Sequence, residues 1–354
     1  MLNKRRIFKK NKTLAVDEFV DKVLYDRKFG YYSKKNPFGN KGDFITSPLI
    51  SNLFGEMLSI WIINSWENLG KPKNINIVEL GPGNGFLTDI FFKTFKNFKN
   101  FYHSMNIYLY EKSFKLKKIQ QKKIRNSKVK WISSFSKIKK GPILFIGNEF
   151  FDALPVKQFK KNNELFYEKK FKLSKNNKII EVLSKAKSHD IKLIKKFKSL
   201  KNQNFFELPK KGFNLMEKIT KKIIKNTGGV LLIDYGYLKS INRSTLQSVK
   251  SHKKNQLFED LTNADITSLV NFNLLKEYFI HKKLKVKKIV SQKFFLERLG
   301  ILERANIISK NMNFREKADL FFRIKRLIDP KIMGKLFKVI FAYKSKKENF
   351  VGFN

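Results

Sequence analysis

Residues 76–87 read NIVELGPGNGFL. A short apolar run ends at Glu79 and Leu80, and glycines follow at 81, 83 and 85. Glycine adds no side chain to packing and loses more backbone entropy on folding than any other residue. Three so close together mark a turn whose backbone must be bare, either for its own torsions or because something approaches it. An apolar run before such a turn and a helix after it make a strand–turn–helix unit.

The same alternation continues along the chain. Apolar runs recur at 75–80, 106–110, 128–132, 142–147 and 229–234, and Lys-rich or helical segments separate the first four. This is the pattern of βαβ units and a mostly parallel sheet. Between the fourth and fifth runs, LFYEKKFKL and KIIEVLS flank SKNN, a hairpin signal, so 157–210 reads as an inserted α+β segment. A helix near 211–225 leads back to the sheet, and LKVKKIVSQKFFLERL and LFKVIFAYKS supply two further strands. Ahead of the sheet, TLAVDEFVDKVLYD has helical spacing with Thr13 as N-cap and Asp17 and Glu18 in its first turn. A Gly/aromatic stretch of loop or short strands follows, and then an amphipathic helix over 48–69.

Composition bounds the chemistry. The 354 residues are 42% hydrophobic and 14% aromatic, values of a folded globular chain. Lys and Arg total 76 against 29 acids, a net charge of +47. A nucleic-acid or anionic-membrane binder would carry such charge. The lysines are nevertheless dispersed over nearly every segment, which fits AT-rich codon usage better than a binding stripe. The absence of cysteine excludes disulfides, thiolate nucleophiles, Cys-bound zinc and iron–sulfur clusters. His103, His189, His252 and His281 lack metal-ligand spacing, so no metal is expected. MLNKRRIFKKNK is basic without an apolar core, unlike a secretory signal. LFGEMLSIWIINSW is too short and too polar to span a bilayer. The expected location is the cytoplasm, or the mitochondrion if the source is eukaryotic.

In a doubly wound sheet a nucleotide-like ligand sits at the C-terminal ends of the strands. A dinucleotide fingerprint would place its third glycine where Phe86 stands. Glu79-x-Gly81-x-Gly83-x-Gly85 has instead the spacing of class I S-adenosylmethionine (SAM) enzymes, with NAD or a ligand-free turn as alternatives. YLYEKS puts Glu111 at the end of the second strand, where a carboxylate accepts from both ribose hydroxyls. That feature does not separate SAM from NAD, and an acid at a helix start is the plain alternative. LFIGNEFFDALPV gathers Asn148, Glu149 and Asp152 at the end of the fourth strand, beside Phe150, Phe151 and Pro155. Its carboxylates could clamp a guanidinium, or the loop could simply cap the next helix.

The stretches FGYYS, GDFITSPLISNLFGEMLSIW, VELGPGNG, GNEFFDALPVKQF, LLIDYGY, LTNADITSLVNFNLL, SQKFFLERLGI and MGKLFKVI run nearly end to end. Through them the chain resembles the MidA family of class I SAM-dependent methyltransferases, which includes the mitochondrial protein-arginine methyltransferase of respiratory complex I assembly. The resemblance implies an α/β, Rossmann-like methyltransferase sheet of seven strands. Its expected organisation is a helical cap with a cofactor-covering loop over 1–73, a core over 74–156 and 211–354, and the insertion over 157–210. It carries SAM binding onto Glu79, Gly81, Gly83, Gly85 and Glu111, with Gly42, Asp43, Thr46 and Pro48 as a loop over the cofactor. Asn148, counted with the cofactor contacts, shares the substrate loop with Glu149 and Asp152, which take the catalytic role. WISSFS departs from the usual acidic residue after the third strand, leaving Ser133 or Ser134 to meet the adenine. LQSVKSHKKN is followed by no Asp-Pro element.

The implied activity is methylation of a protein arginine, on a partner such as a complex I subunit. Specific nucleic-acid binding and membrane insertion are not expected, and a homodimer is compatible with the sequence. One rival is a nucleic-acid methyltransferase, although Asn148-Glu149-Phe150-Phe151 lacks the proline pair of amino-group enzymes. The other is an assembly factor that binds SAM without turnover.

Overall fold

Each apolar run becomes a strand of one sheet. In the computed structural model, which describes residues 2–8, 12–34, 37–39 and 42–354, these are β1 Ile75–Leu80, β2 Met105–Tyr110, β3 Val129–Ile132, β4 Ile143–Asn148 and β5 Gly228–Tyr237. β6 Lys285–Val286 and β7 Phe337–Lys344 extend it, in the order β3-β2-β1-β4-β5-β7-β6, and two two-residue strands off this path, one of them Val290–Ser291 on β7, bring the sheet to nine strands where seven were expected. Neighbours from β3 to β5 are parallel, and β7 runs antiparallel to β5 and β6. The order reverses between β1 and β4. In an open parallel sheet that reversal opens a crevice outside the carboxyl ends of the strands.

Every residue of β1 is buried, as helices on both sheet faces demand. The expected helix over 48–69 is two helices, Ser47–Ile50 and α1 Asn52–Asn68. Ser51 interrupts them with an extended backbone, and its Oγ accepts from Leu53 N at 3.3 Å as the cap of α1. α2 Phe86–Phe95 follows the glycine turn. A Cβ on Gly55 of α1 would lie 2.7 Å from Ile90 of α2, so glycine sets the closeness of these two helices.

The chain divides into two compact units. The second, 45–150 with 218–236 and 282–354, holds this sheet. The first combines 1–44, 151–217 and 237–281. In it Leu165–Leu173 pairs antiparallel with Lys157–Asn162, Ile179–Lys185 and Thr13–Ala15. This differs from the sequence reading in three ways. Segment 157–210 does not stand apart, because its longest strand pairs with the N-terminal residues. Residues 45–73 group with the sheet and not with 1–44. Thr13 opens a short strand and does not cap a helix; the helix is Val16–Tyr25, where Ala15 N donates to Glu18 Oε2 at 3.3 Å. The cause is long-range packing. Phe171 is fully buried, with ring centroids 5.0 Å from Phe19 and 5.0 Å from Phe258.

A buried ion cluster ties the first unit. Lys157 Nζ meets Glu168 Oε1 at 2.6 Å and Asp190 Oδ2 at 3.0 Å, and Lys210 Nζ meets Asp190 Oδ1 at 2.6 Å. Burial disfavours the Lys157 ammonium, but its bonds to Glu168 and Asp190 more than offset this and raise its pKa. Removing one partner of a buried ion pair leaves an uncompensated charge. Lys157→Met should therefore destabilise the protein by about 3–5 kcal/mol, read as a lower urea midpoint, whereas Lys71→Met at the exposed pair with Glu67 should leave the midpoint nearly unchanged.

Candidate cofactor site

The turn after β1 is left-handed at all three glycines, with φ of 63° at Gly81, 55° at Gly83 and 75° at Gly85. L-residues with side chains adopt these torsions only under strain. Gly81 N donates to Tyr110 O at 3.0 Å, tying the turn to β2, and Gly85 N donates to Pro82 O at 2.8 Å. A Cβ on Gly81 would lie 2.6 Å from Phe150 Cδ2, and one on Gly85 would lie 2.9 Å from Ile124 Cδ1. At these two positions the chain's own side chains already require glycine.

Two carboxyls flank the turn. Glu79, buried at the end of β1, accepts from the Thr88 hydroxyl of α2. Burial pushes its pKa up to about 7 against the Thr88 bond, and the charge of Glu111 adds to the rise. Glu111 lies just past β2. Its Oε1 accepts from Ser113 N at 2.7 Å and its Oε2 from Gln120 Nε2 at 3.3 Å. Burial nevertheless pushes it up to about 7.

Gln120 on α3, Phe114–Lys123, is fully buried. Its Nε2 also donates to Gly83 O at 2.8 Å, and its Oε1 accepts from Trp131 Nε1 at 2.9 Å. It thus ties the glycine turn to Glu111 and β3. Sequence reasoning missed it, because a glutamine in FKLKKIQQKK carries no signal of its own. Ser133 stands exposed beyond β3, and Ser134 Oγ accepts from Ser136 N at 3.3 Å.

At the end of β4, Asn148 Nδ2 donates to Glu149 Oε1 at 3.2 Å, while Asn148 Oδ1 is buried without a hydrogen-bond partner. A buried acceptor left unpaired costs about 1–3 kcal/mol, so a donor from a bound molecule would be stabilised there. Glu149 has φ 48°, and its N donates to Ile233 O at 2.9 Å. Its Oε1 also accepts from Ser47 N at 2.7 Å and Ser47 Oγ at 3.0 Å. Thr46, the N-cap residue of helix Ser47–Ile50, and the buried Pro48 are held at that anchor. The second unit therefore brings together Glu79, the three glycines and Glu111, and separately Thr46, Pro48, Asn148 and Glu149.

Gly42, Asp43 and Asp152 belong to the first unit. A Cβ on Gly42 would lie 2.1 Å from Pro37 O. Asp43 is buried; its Oδ2 accepts from Tyr31 OH at 2.5 Å and its Oδ1 from Ser251 N at 2.8 Å. Asp152 is buried near Asp265, which accepts from Tyr32 OH at 3.2 Å. Burial first, and then the charge of Asp152, push Asp265 up to about 7. Tyr25 stacks on Tyr32 at 5.4 Å between centroids. Asp265, Tyr31 and Tyr32 were not assigned a role from sequence, although they lie in FGYYS and LTNADITSLVNFNLL, two of the stretches that carry the family resemblance.

Residues 57–290 match a protein family described as "Putative S-adenosyl-L-methionine-dependent methyltransferase". The chain is 28% identical to "Protein arginine methyltransferase NDUFAF7, mitochondrial" of Xenopus laevis, covering 94% of this chain and 82% of that protein. The human protein of that name is also 28% identical, covering 92% and 78%. The Caenorhabditis elegans homolog is 30% identical over 82% of this chain and 74% of its own length. Among solved structures, a Burkholderia thailandensis protein bound to S-adenosyl-homocysteine superposes with a TM-score of 0.84 at 19% identity, covering 99% of this chain and 92% of that one.

Loss of the Gln120 links should loosen the turn. Gln120→Leu should weaken S-adenosyl-homocysteine binding about tenfold or more by calorimetry, with the fold retained by circular dichroism. Ionised Glu111 is the form that would accept from the ribose. Affinity should therefore rise with pH up to about 7, the Glu111 value, and level off above it. Glu111→Gln should flatten that profile; a Glu111→Ala variant with intact affinity and a much lower apo melting temperature would make Glu111 structural.

Proposed function

The chain belongs to the S-adenosyl-L-methionine-dependent methyltransferase family, and from that premise we propose that it methylates an arginine side chain of a protein. The observation that carries this reading is the pair of buried carboxyls Asp152 and Asp265 beneath Tyr32, in a chain that carries +47 overall. Two carboxyls sharing a buried site favour a cation, and a planar guanidinium can take bonds from both. The relatives named protein arginine methyltransferases, which match over nearly the whole chain, support the same acceptor.

Bound SAM supplies an electrophilic methyl on a sulfonium. The chain's own part is to hold the acceptor nitrogen in line and to manage its proton. One guanidinium N–H bond must break as the new N–C bond forms, while the electron pair of the C–S bond stays on sulfur. Asp265, with its pKa raised to about 7, is poised to take that proton near neutral pH. Asp152, close enough to shift Asp265, would hold the opposite edge of the guanidinium. Glu149, bonded to Ser47, would act by fixing the segment that starts at Thr46.

A complex I subunit is the acceptor the family resemblance suggests. The reading places the protein in the cytoplasm of a bacterium or, as the relatives' names have it, the mitochondrion of a eukaryote.

Asp152→Asn and Asp265→Asn should keep cofactor affinity within a few-fold, while methyl incorporation into a protein acceptor falls by about 10²-fold or more. Mass spectrometry should find the label on arginine, and an acceptor with lysine at that position should be inert. Full turnover in both variants, or label on lysine or nucleic acid, would refute the arginine mechanism.

A further inference from the structure

Helix Phe314–Ile328 packs into its unit through Ile324 and Leu327, yet it shows solvent a second apolar stripe. Phe314 is 88% exposed, Phe322 64% and Phe321 38%. At about 100° per residue, Phe321, Phe314, Lys325, Ala318, Phe322 and Arg315 succeed one another around one arc, opposite the buried pair. Phe314 and Phe322 are roughly 12 Å apart along the axis. The rings are therefore spread along a face and not gathered into a knob that would fill a pocket.

The charge on this helix is one-sided. Arg315, Lys317, Arg323, Lys325 and Arg326 stand against Glu316 and Asp319. Both acids are engaged: Glu316 Oε2 accepts from Asn313 N at 3.0 Å in the capping box, and Asp319 Oδ2 lies 2.7 Å from Arg323 Nε.

We propose that this face docks on an anionic bilayer surface. Three large rings standing in water lose free energy that burial would recover, and the surrounding cations require a negatively charged partner. A second copy of the chain would bring another +47 of like charge to the contact. The headgroup layer of an anionic membrane meets both demands, with lysines and arginines at the phosphates and rings at the acyl boundary. The protein would lie on the membrane; no helix among the described residues is long and apolar enough to cross one.

The test is flotation of the full chain with vesicles of phosphatidylcholine alone or with 30% phosphatidylglycerol, at about 0.15 M salt, where surface charges beyond a Debye length are screened. The wild type should float with the anionic vesicles only. Phe314→Ser/Phe322→Ser keeps every charge, so its partition should drop by about tenfold or more, with melting temperature and S-adenosyl-homocysteine binding unchanged. Equal flotation of variant and wild type would show that dispersed charge alone binds lipid, and would overturn the proposal. So would failure of the wild type to float, or sedimentation velocity showing a dimer that the double variant abolishes.

Discussion

The site is organised by an approach so close that no side chain fits in it. The Phe150 ring, just past β4, fills the space that a Cβ on Gly81 would need, and a Cβ on Gly147 would lie 2.8 Å from Leu232. β1 and β4 are neighbours in register, with Leu80 opposite Gly147. The two strand ends that flank the sheet's reversal are therefore sealed against each other by a ring seated on bare backbone. The turn at 81–85 must then leave β1 in left-handed torsions to reach α2. Glycine is demanded first by the protein's own packing, in a turn whose Pro82, Gly83 and Gly85 are buried.

Within each unit, buried carboxyls run against the average charge of the chain. Glu79, Glu111 and Asp265 are held near neutrality by burial despite an overall charge of +47. Most lysines stay at the surface, where water screens them; of the two buried ones, Lys157 is compensated by Glu168 and Asp190, and Lys169 pairs with Glu181. A carboxyl whose folded pKa lies above its unfolded value favours folding while protonated. The contribution of these three is thus present at low pH and is lost as pH rises through about 7. Asp190 has the opposite sign. Burial is outweighed by Lys210 and Lys157, its pKa is lowered, and its contribution disappears only in acid. Binding groups that relieve ionised Glu111 would restore what the apo fold gives up above neutrality.

The sheet was legible because its strands are buried on both faces and appear as unbroken apolar runs. INIVEL is β1 and LFYEKKFKL is the central strand of the first unit, residue for residue. The hairpin at SKNN was legible from turn chemistry: Asn177 has φ 55°, and Ser174 N donates to Lys178 O at 2.8 Å. The grouping of segments into units was not. The pairing of Thr13–Ala15 with Lys170–Lys172 joins residues far apart in the chain, and neither side carries a local mark of it. Gln120 escaped notice for a related reason. A polar residue in a polar helix gains meaning only when the fold delivers Gly83, Glu111 and Trp131 to it.

Glu149 shows how contacts refine a role read from spacing. Asn148-Glu149 and Asp152 lie on one short stretch, which invites treating the two carboxylates as a pair. In the structure Glu149 adopts a left-handed backbone, a strain of about 1–3 kcal/mol for a residue with a side chain. What holds it there is backbone and side chain together: its N–H on Ile233 O, its carboxylate on Ser47, and the next N–H, that of Phe150, on Asp234 Oδ2 at 3.1 Å. A carboxylate already accepting from a backbone N–H and two side chains has less left for a substrate than its position suggests. Asp152 lies close enough to Asp265, more than a hundred residues on, to raise its pKa, and the proposed arginine chemistry rests on that pair. On the proposed mechanism Glu149 would serve the reaction by keeping the β4 turn and the Thr46 segment in one fixed arrangement, a use of strain that a freely solvated loop could not support.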